Sequence, residues 1–173
     1  MEIRVLVENV VYNQGLYGEH GLSFLVKEGG VKILFDTGQT DNIIKNMAAL
    51  KETIEDIDYI VLSHGHYDHT GGLKYILEKN KTAKVLLKRA ALDEKVSTST
   101  GKERDISFPM RNMYNEYPNE FVFVEDIYDI SENIKIIANI DKKYEFEDDE
   151  KKLFVRKEKL EKDEFNDELF MTI

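Results

Sequence analysis

Three of the four histidines in this 173-residue chain fall in one short run, Ser63-His64-Gly65-His66-Tyr67-Asp68-His69. On a helix, two-residue spacing would point His64 and His66 to different faces. On a loop leaving a buried strand they can converge, and Gly65 lets the backbone turn tightly between them. Asp68 and His69 add a carboxylate and a third imidazole on the following turn. Imidazole with carboxylate is a donor set suited to zinc, iron or manganese. The chain contains no cysteine, so disulfides and thiolate ligands are excluded and a metal must be held by nitrogen and oxygen. A lone histidine here would ordinarily be a solvated loop side chain. Three at this spacing, after an apolar strand and before a glycine-led helix, point to metal binding.

The surrounding pattern supplies the elements that must position this loop. Ile3-Val7 and Leu22-Val26 read as strands, and Gly29-Gly30 as a hairpin turn into a third, Val31-Phe35, which ends at Asp36-Thr37-Gly38. Thr40 or Asp41 can N-cap a helix that presents Ile43, Ile44, Met47 and Leu50 at helical spacing. Tyr59-Leu62 is a short apolar run, the pattern of a buried strand, and the histidine loop leaves its end. Gly71-Gly72 opens a second helix with Leu73, Ile76 and Leu77 on one face. Val85-Leu87, Phe121-Val124, Ile134-Ala138, Leu153-Val155 and Leu169-Ile173 read as later strands. From Arg89 to Pro118 the periodicity breaks down, which suggests a lid or substrate loop with some helix. Glu145-Lys152 is a charge run of the kind expected in a solvated loop. The alternation of strands and helices gives an α/β fold class, and no repeat or linker divides residues 1-173 into more than a single domain.

His64-x-His66-x-Asp68-His69, with the strand before it and Thr70-Gly71-Gly72-Leu73 after it, resembles the signature of the metallo-β-lactamase superfamily. Leu34-Phe35-Asp36-Thr37-Gly38 resembles that superfamily's first motif, whose aspartate supports the metal ligands from behind by fixing imidazole tautomers. Glu19-His20-Gly21-Leu22-Ser23-Phe24, taken with the histidine loop, narrows the resemblance to the dihydropterin-ribofuranosylaminobenzene-phosphate synthase-like hydrolases. It covers Met1 to about Lys88 and, more loosely, the rest. The resemblance implies an αββα sandwich. In members with two ions, commonly zinc, His64 and His66 would bind one and Asp68 and His69 the other. A hydroxide held by the metals would be the nucleophile, and Asp68 would orient it or accept its proton. His20 would then lie at the mouth of the site. Arg89, Arg111, Lys102 and Arg104, in the irregular segment, are candidates to meet an anionic substrate.

The family completes its site with a further histidine, a bridging aspartate and a final histidine. No histidine follows His69 in this chain, which leaves each metal two protein ligands where zinc sites use three or more. The expectation is a domain incomplete at its C-terminus, with one inner sheet face partly uncovered and open to a second copy or to a complementing chain. Two functions follow: hydrolysis of a small, phosphorylated or cyclic metabolite, or a catalytically incompetent fragment or interaction subunit that keeps half of the metal site. A redox role fits less well, because the di-iron relatives usually carry a glutamate where His66 stands.

Composition sets the outer bounds. Thirty-four acidic against 24 basic side chains give a formal net charge of -10, which weighs against a nucleic-acid partner. The N-terminus lacks the pattern of a secretory signal, and no apolar run approaches the length of a membrane span. A cytoplasmic protein acting on a small molecule is the expectation.

Overall fold

The computed structural model describes residues 1–140 and 152–173. The chain opens with two antiparallel pairings, β1 (Glu2–Val7) to β2 (Ser23–Glu28) and β2 to β3 (Val31–Phe35), the second across the Gly29-Gly30 turn. Helix α1 (Asn42–Ala49) crosses to β4 (Tyr59–Val61). The histidine loop leaves β4 and closes with one helical turn, α2 (Tyr67–Thr70), before α3 (Leu73–Lys79) and β5 (Lys84–Leu87). Next come β6 (Glu94–Ser97), the two-residue β7 (Arg104–Asp105), β8 (Phe121–Phe123), β9 (Ile127–Asp129) and β10 (Lys135–Ile137). Beyond the undescribed residues lie β11 (Leu153–Arg156), β12 (Leu160–Lys162) and β13 (Phe170–Thr172).

The main sheet has the order β1-β2-β3-β4-β5-β8, with β3, β4, β5 and β8 parallel. Central parallel strands are covered on both faces, so they read as unbroken apolar runs rather than alternating ones. Successive residues of these runs enter different cores. Leu34, Ile60, Val85 and Leu87 pack with Ile43 and Met47 of α1 and Leu73, Ile76 and Leu77 of α3. Ile33, Val61 and Leu86 face the other way, against Ile134, Ile136 and Leu169 from and beside the sheet β13-β10-β9. Each fully buried Leu or Ile contributes about 1.5–3 kcal/mol of transfer free energy. The layers are thus helix, sheet, sheet. The α/β fold class holds, and the outer helical layer of an αββα sandwich does not occur among the described residues.

The expected strands and helices are present with their ends moved by one or two residues. The segment from Arg89 to Pro118 departs from expectation. It is packed rather than lid-like: β6 and β7 join β11 and β12 in a third sheet, β12-β11-β6-β7. Phe108 and Met110 are sunk in the helix-side core. Its apolar residues are spaced irregularly because they are buried from short strands and turns, and no periodicity announces that. β9 and β12 were also not anticipated. Most of the charge run at 145–152 lies outside the described residues.

Parallel strands direct their carboxyl ends to one edge of the sheet, where α/β proteins place their sites. Asp36 follows β3 and the histidine loop follows β4. The approach is close: a Cβ on Gly65 would stand 2.3 Å from the Ala91 carbonyl oxygen, so only glycine fits.

Candidate metal centre

Asp36 organises the site. It sits at φ 57°, a left-handed conformation that Asp tolerates better than most residues, and is 1% exposed. Its amide donates to the Val61 carbonyl at 2.8 Å. Its Oδ1 accepts the Ser63 amide at 2.7 Å, and its Oδ2 accepts both the Ser63 hydroxyl and His69 Nδ1 at 2.7 Å. The His69 carbonyl in turn accepts the Thr37 amide at 2.7 Å. One buried carboxylate therefore ties the ends of β3 and β4 together and fixes an imidazole.

These bonds order the protons along the loop. Ser63 gives its single hydroxyl proton to Asp36, so at 2.9 Å it accepts from His64 Nδ1. That leaves a lone pair on His64 Nε2, which accepts from His66 Nδ1 at 3.0 Å. His66 Nε2 is buried, makes no hydrogen bond, and stands 3.5 Å from Asp163 Oδ2. Likewise, His69 donates through Nδ1 and turns Nε2 toward Asp68 Oδ2 at 3.5 Å. His20 Nε2 approaches the same oxygen at 3.4 Å. Imidazole nitrogens set 3.4–3.5 Å from carboxylate oxygens make a nitrogen–oxygen donor set of the kind that holds a divalent ion. Among the described residues no three His, Asp or Glu side chains are grouped to hold one as they stand, and the His64–His66 hydrogen bond accounts for part of this by turning His64 Nε2 onto its neighbour.

Electrostatics sort the imidazoles. Burial, reinforced by His69, His66 and Lys95, pushes His64 well below the usual histidine range. It stays neutral, the form in which it can ligate. Burial also works to lower His69, but its hydrogen bond to Asp36 and the charges of Asp36 and Asp68 outweigh that and raise it.

Sequence reasoning missed the support beneath the loop. Lys95 on β6 is 2% exposed, and its ammonium donates to Asp163 at 3.1 and 2.9 Å and to Asp167 at 2.8 Å. Asp167 Oδ2 accepts the Gly65 amide at 2.7 Å, and the Leu169 amide reaches the Ser63 carbonyl at 2.9 Å. Burial pushes Asp163 up, but His66, Lys95 and the Phe165 amide hold it far below the usual carboxylate range. Phe165 lays its ring 5.5 Å from that of His66. A cavity of about 310 Å³ borders this clamp, lined by Lys95, Asp163 and Asp167 and by none of the histidines. In sequence Lys95 was one lysine among many, and the two aspartates sat in an acidic stretch indistinguishable from a solvated loop.

The structure thus brings together His64, His66, Asp68, His69, Asp36 and His20. It engages the arginines differently. The Arg89 guanidinium stacks 3.9 Å from the centre of the Phe123 ring. Arg111 pairs with Asp105 at 3.1 Å, two residues from Ser107, which bridges His66 through the backbone. Arg104 lies over the Tyr67 ring at 5.7 Å.

A family model described as the metallo-beta-lactamase superfamily matches residues 16–129, which includes Asp36 and the whole histidine loop. The chain belongs to the metallo-β-lactamase superfamily. It is 33% identical over 172 residues to the uncharacterized protein MJ0448 of Methanocaldococcus jannaschii, covering 98% of this chain and 64% of that one. Over 85 residues it is 44% identical to that organism's 7,8-dihydropterin-6-methyl-4-(beta-D-ribofuranosyl)-aminobenzene-5'-phosphate synthase, covering 46% of this chain and 29% of the synthase. Among solved structures it is similar to Tm1679, a metal-dependent hydrolase of the beta-lactamase superfamily, with a TM-score of 0.76 and 33% identity, covering 98% of this chain and 59% of Tm1679. The chain therefore spans about two thirds or less of the length of these relatives.

Proposed function

We infer that this chain is a metal-dependent hydrolase acting on a small, phosphorylated or cyclic metabolite, with zinc as the metal and iron or manganese as alternatives. The observation that carries the reading is the buried, unpartnered His66 Nε2 facing Asp163, beside an imidazole held neutral by burial. Likeness to Tm1679, described as a metal-dependent hydrolase, supports the reaction class. Likeness to the dihydropterin synthase supports a phosphorylated substrate. Divalent ions, two in a complete site, would be held by His64 and His66 and by Asp68 and His69. When bound, such an ion lowers the pKa of water toward neutrality and polarises the bond under attack. The chain's own groups do the rest. Asp36 locks the His69 tautomer, Ser63 relays that order to His64, and Asp68 holds an oxygen positioned to take a proton.

A second reading, a catalytically incompetent fragment or interaction subunit, is favoured by one observation: no three donors are grouped to hold an ion among the described residues. The test is to load the purified chain with zinc or manganese and assay phosphodiesters and lactones. The first reading expects close to two ions per chain, and turnover that disappears with chelator and in His66→Ala. Turnover indifferent to both, or none with metal fully bound, overturns it.

A further inference from the structure

We propose that Arg104 anchors a phosphate group of the substrate at the rim of the histidine loop; this rests on reading the chain as a hydrolase of phosphorylated metabolites. The first observation is place. Tyr67 stands between His66 and Asp68, half-buried at the start of α2. The segment that carries Arg104 is stitched to this point. The Tyr67 amide donates to the Ile106 carbonyl at 2.9 Å, and His66 bridges Ser107 through the backbone. Two residues before Ile106, on β7, the Arg104 guanidinium lies over the Tyr67 ring, 5.7 Å from its centre. Main-chain bonds thus fix the backbone of this arginine beside the loop that presents the imidazoles.

The second observation is how the neighbouring charges are engaged. Lys95 is buried between Asp163 and Asp167. Lys88 donates to the Ala138 carbonyl at 2.9 Å, and Arg89 is packed on the Phe123 ring. Arg111 spends its donors on Asp105 at 3.1 Å and on the Phe108 carbonyl at 3.4 Å. The acids that flank Arg104 are taken as well, Glu103 by Arg156 and Asp105 by Arg111. Arg104 itself is exposed and pairs with no carboxylate among the described residues. In a chain with a formal net charge of -10 acids are abundant. A guanidinium kept clear of those described retains its charge for an incoming anion.

The ligand chemistry follows. A guanidinium resting on an aromatic face is held there without spending its N–H groups. Its planar fork then matches two phosphate oxygens at once. Beside the reacting centre rather than in it, such an anchor binds the part of the substrate that does not react, and so sets specificity.

The experiment titrates the purified chain with phenyl phosphate at low ionic strength and follows the line width of the phosphorus resonance. Chelator is present throughout, so that no metal takes the phosphate. Arg104→Gln is expected to weaken binding by about 10-fold or more. Arg104→Lys, which keeps the charge and loses the fork, should weaken it by less. Lys74→Gln, which removes an exposed cation resting on Tyr75, should leave binding unchanged. Inorganic phosphate should displace phenyl phosphate from the wild-type chain. The assignment is overturned if wild type binds no phenyl phosphate, if Arg104→Gln binds it as wild type does, or if Lys74→Gln loses as much. Failure of inorganic phosphate to displace it also overturns the assignment, since the phenyl ring would then be what is read. Because binding is measured and not turnover, a metal-loaded chain that hydrolyses nothing overturns the hydrolase reading alone, and the titration still decides Arg104.

Discussion

At Lys95 the chain buries an ammonium between two carboxylates, directly beneath a loop rich in metal donors. Removing one member of such a cluster leaves uncompensated charge in a low-dielectric interior, which costs more than the cluster itself contributes. Lys95→Met is expected to destabilise the fold by about 3–5 kcal/mol, a fall in Tm of roughly 10 °C for a chain of this size. Adding Asp163→Asn and Asp167→Asn to that variant should recover much of the loss, because the orphaned charges go with the lysine. Thermal melts decide it, and a loss below about 1 kcal/mol in the single variant would show that the clamp is not maintained by charge. At this scale the sequence was legible where chemistry is written in local spacing: His64, His66, Asp68 and His69 announce themselves, and Asp36 does so through its family motif. Lys95, Asp163 and Asp167 are joined only by the fold, 68 and 72 residues apart, and residue type alone carries no trace of that pairing.

Among the elements, the three strands of the opening meander are cross-braced at Glu52, just past α1. Its carboxylate, only 5% exposed, meets Arg4 of β1 at 2.6 Å, Lys27 of β2 at 2.8 Å and Lys32 of β3 at 3.5 Å. Burial works to raise its pKa, but the Lys27 hydrogen bond and the three positive charges outweigh burial and hold it below the ordinary 4.5. A carboxylate whose pKa is lower folded than unfolded stabilises the protein fully above its unfolded value, and that stabilisation is lost as pH falls through the folded value. Glu52→Gln should therefore lower Tm near neutrality, by about 1–3 kcal/mol in stability. The gap to wild type should close as pH drops below about 4.5. Melts from pH 7 to pH 3 test this; a gap that is constant or widens in acid contradicts it. Elements with a strong apolar period, such as β3, β4, α1 and α3, were readable because burial of one face or two imposes the pattern. The stretch from Arg89 to Pro118 was not, because β6 and β7 each bury a few side chains in a small third sheet, below the length at which a period can be seen.

For the molecule as a whole, the inter-sheet core is covered unevenly. The sheet β13-β10-β9 lies over the Val61 and Leu86 side of the main sheet, and β13 is its edge. Beyond that edge an open apolar groove is lined by Ile3, Phe24, Phe35, Phe170 and Ile173, with Ile3 54% and Ile173 46% exposed. A contiguous apolar surface of this kind should take up a hydrophobic dye without prior unfolding. The native chain is expected to enhance anilinonaphthalene sulfonate fluorescence several-fold, and Phe170→Lys to reduce that enhancement. Dye fluorescence at the level of a closed globular control would contradict the open groove. No helix of the described residues is long and apolar enough to cross a membrane. One contact has a consequence in time. The bond from the Gly65 amide to Asp167 spans 102 residues. At ribosomal speeds of about 5–20 residues per second, the histidine loop emerges roughly 5–20 seconds before the carboxylate that seats it. Until then the histidines sit on an unsupported turn, so the seating of the loop waits for Asp167, and a ribosome stalled short of it displays the histidines without the carboxylate that holds Gly65.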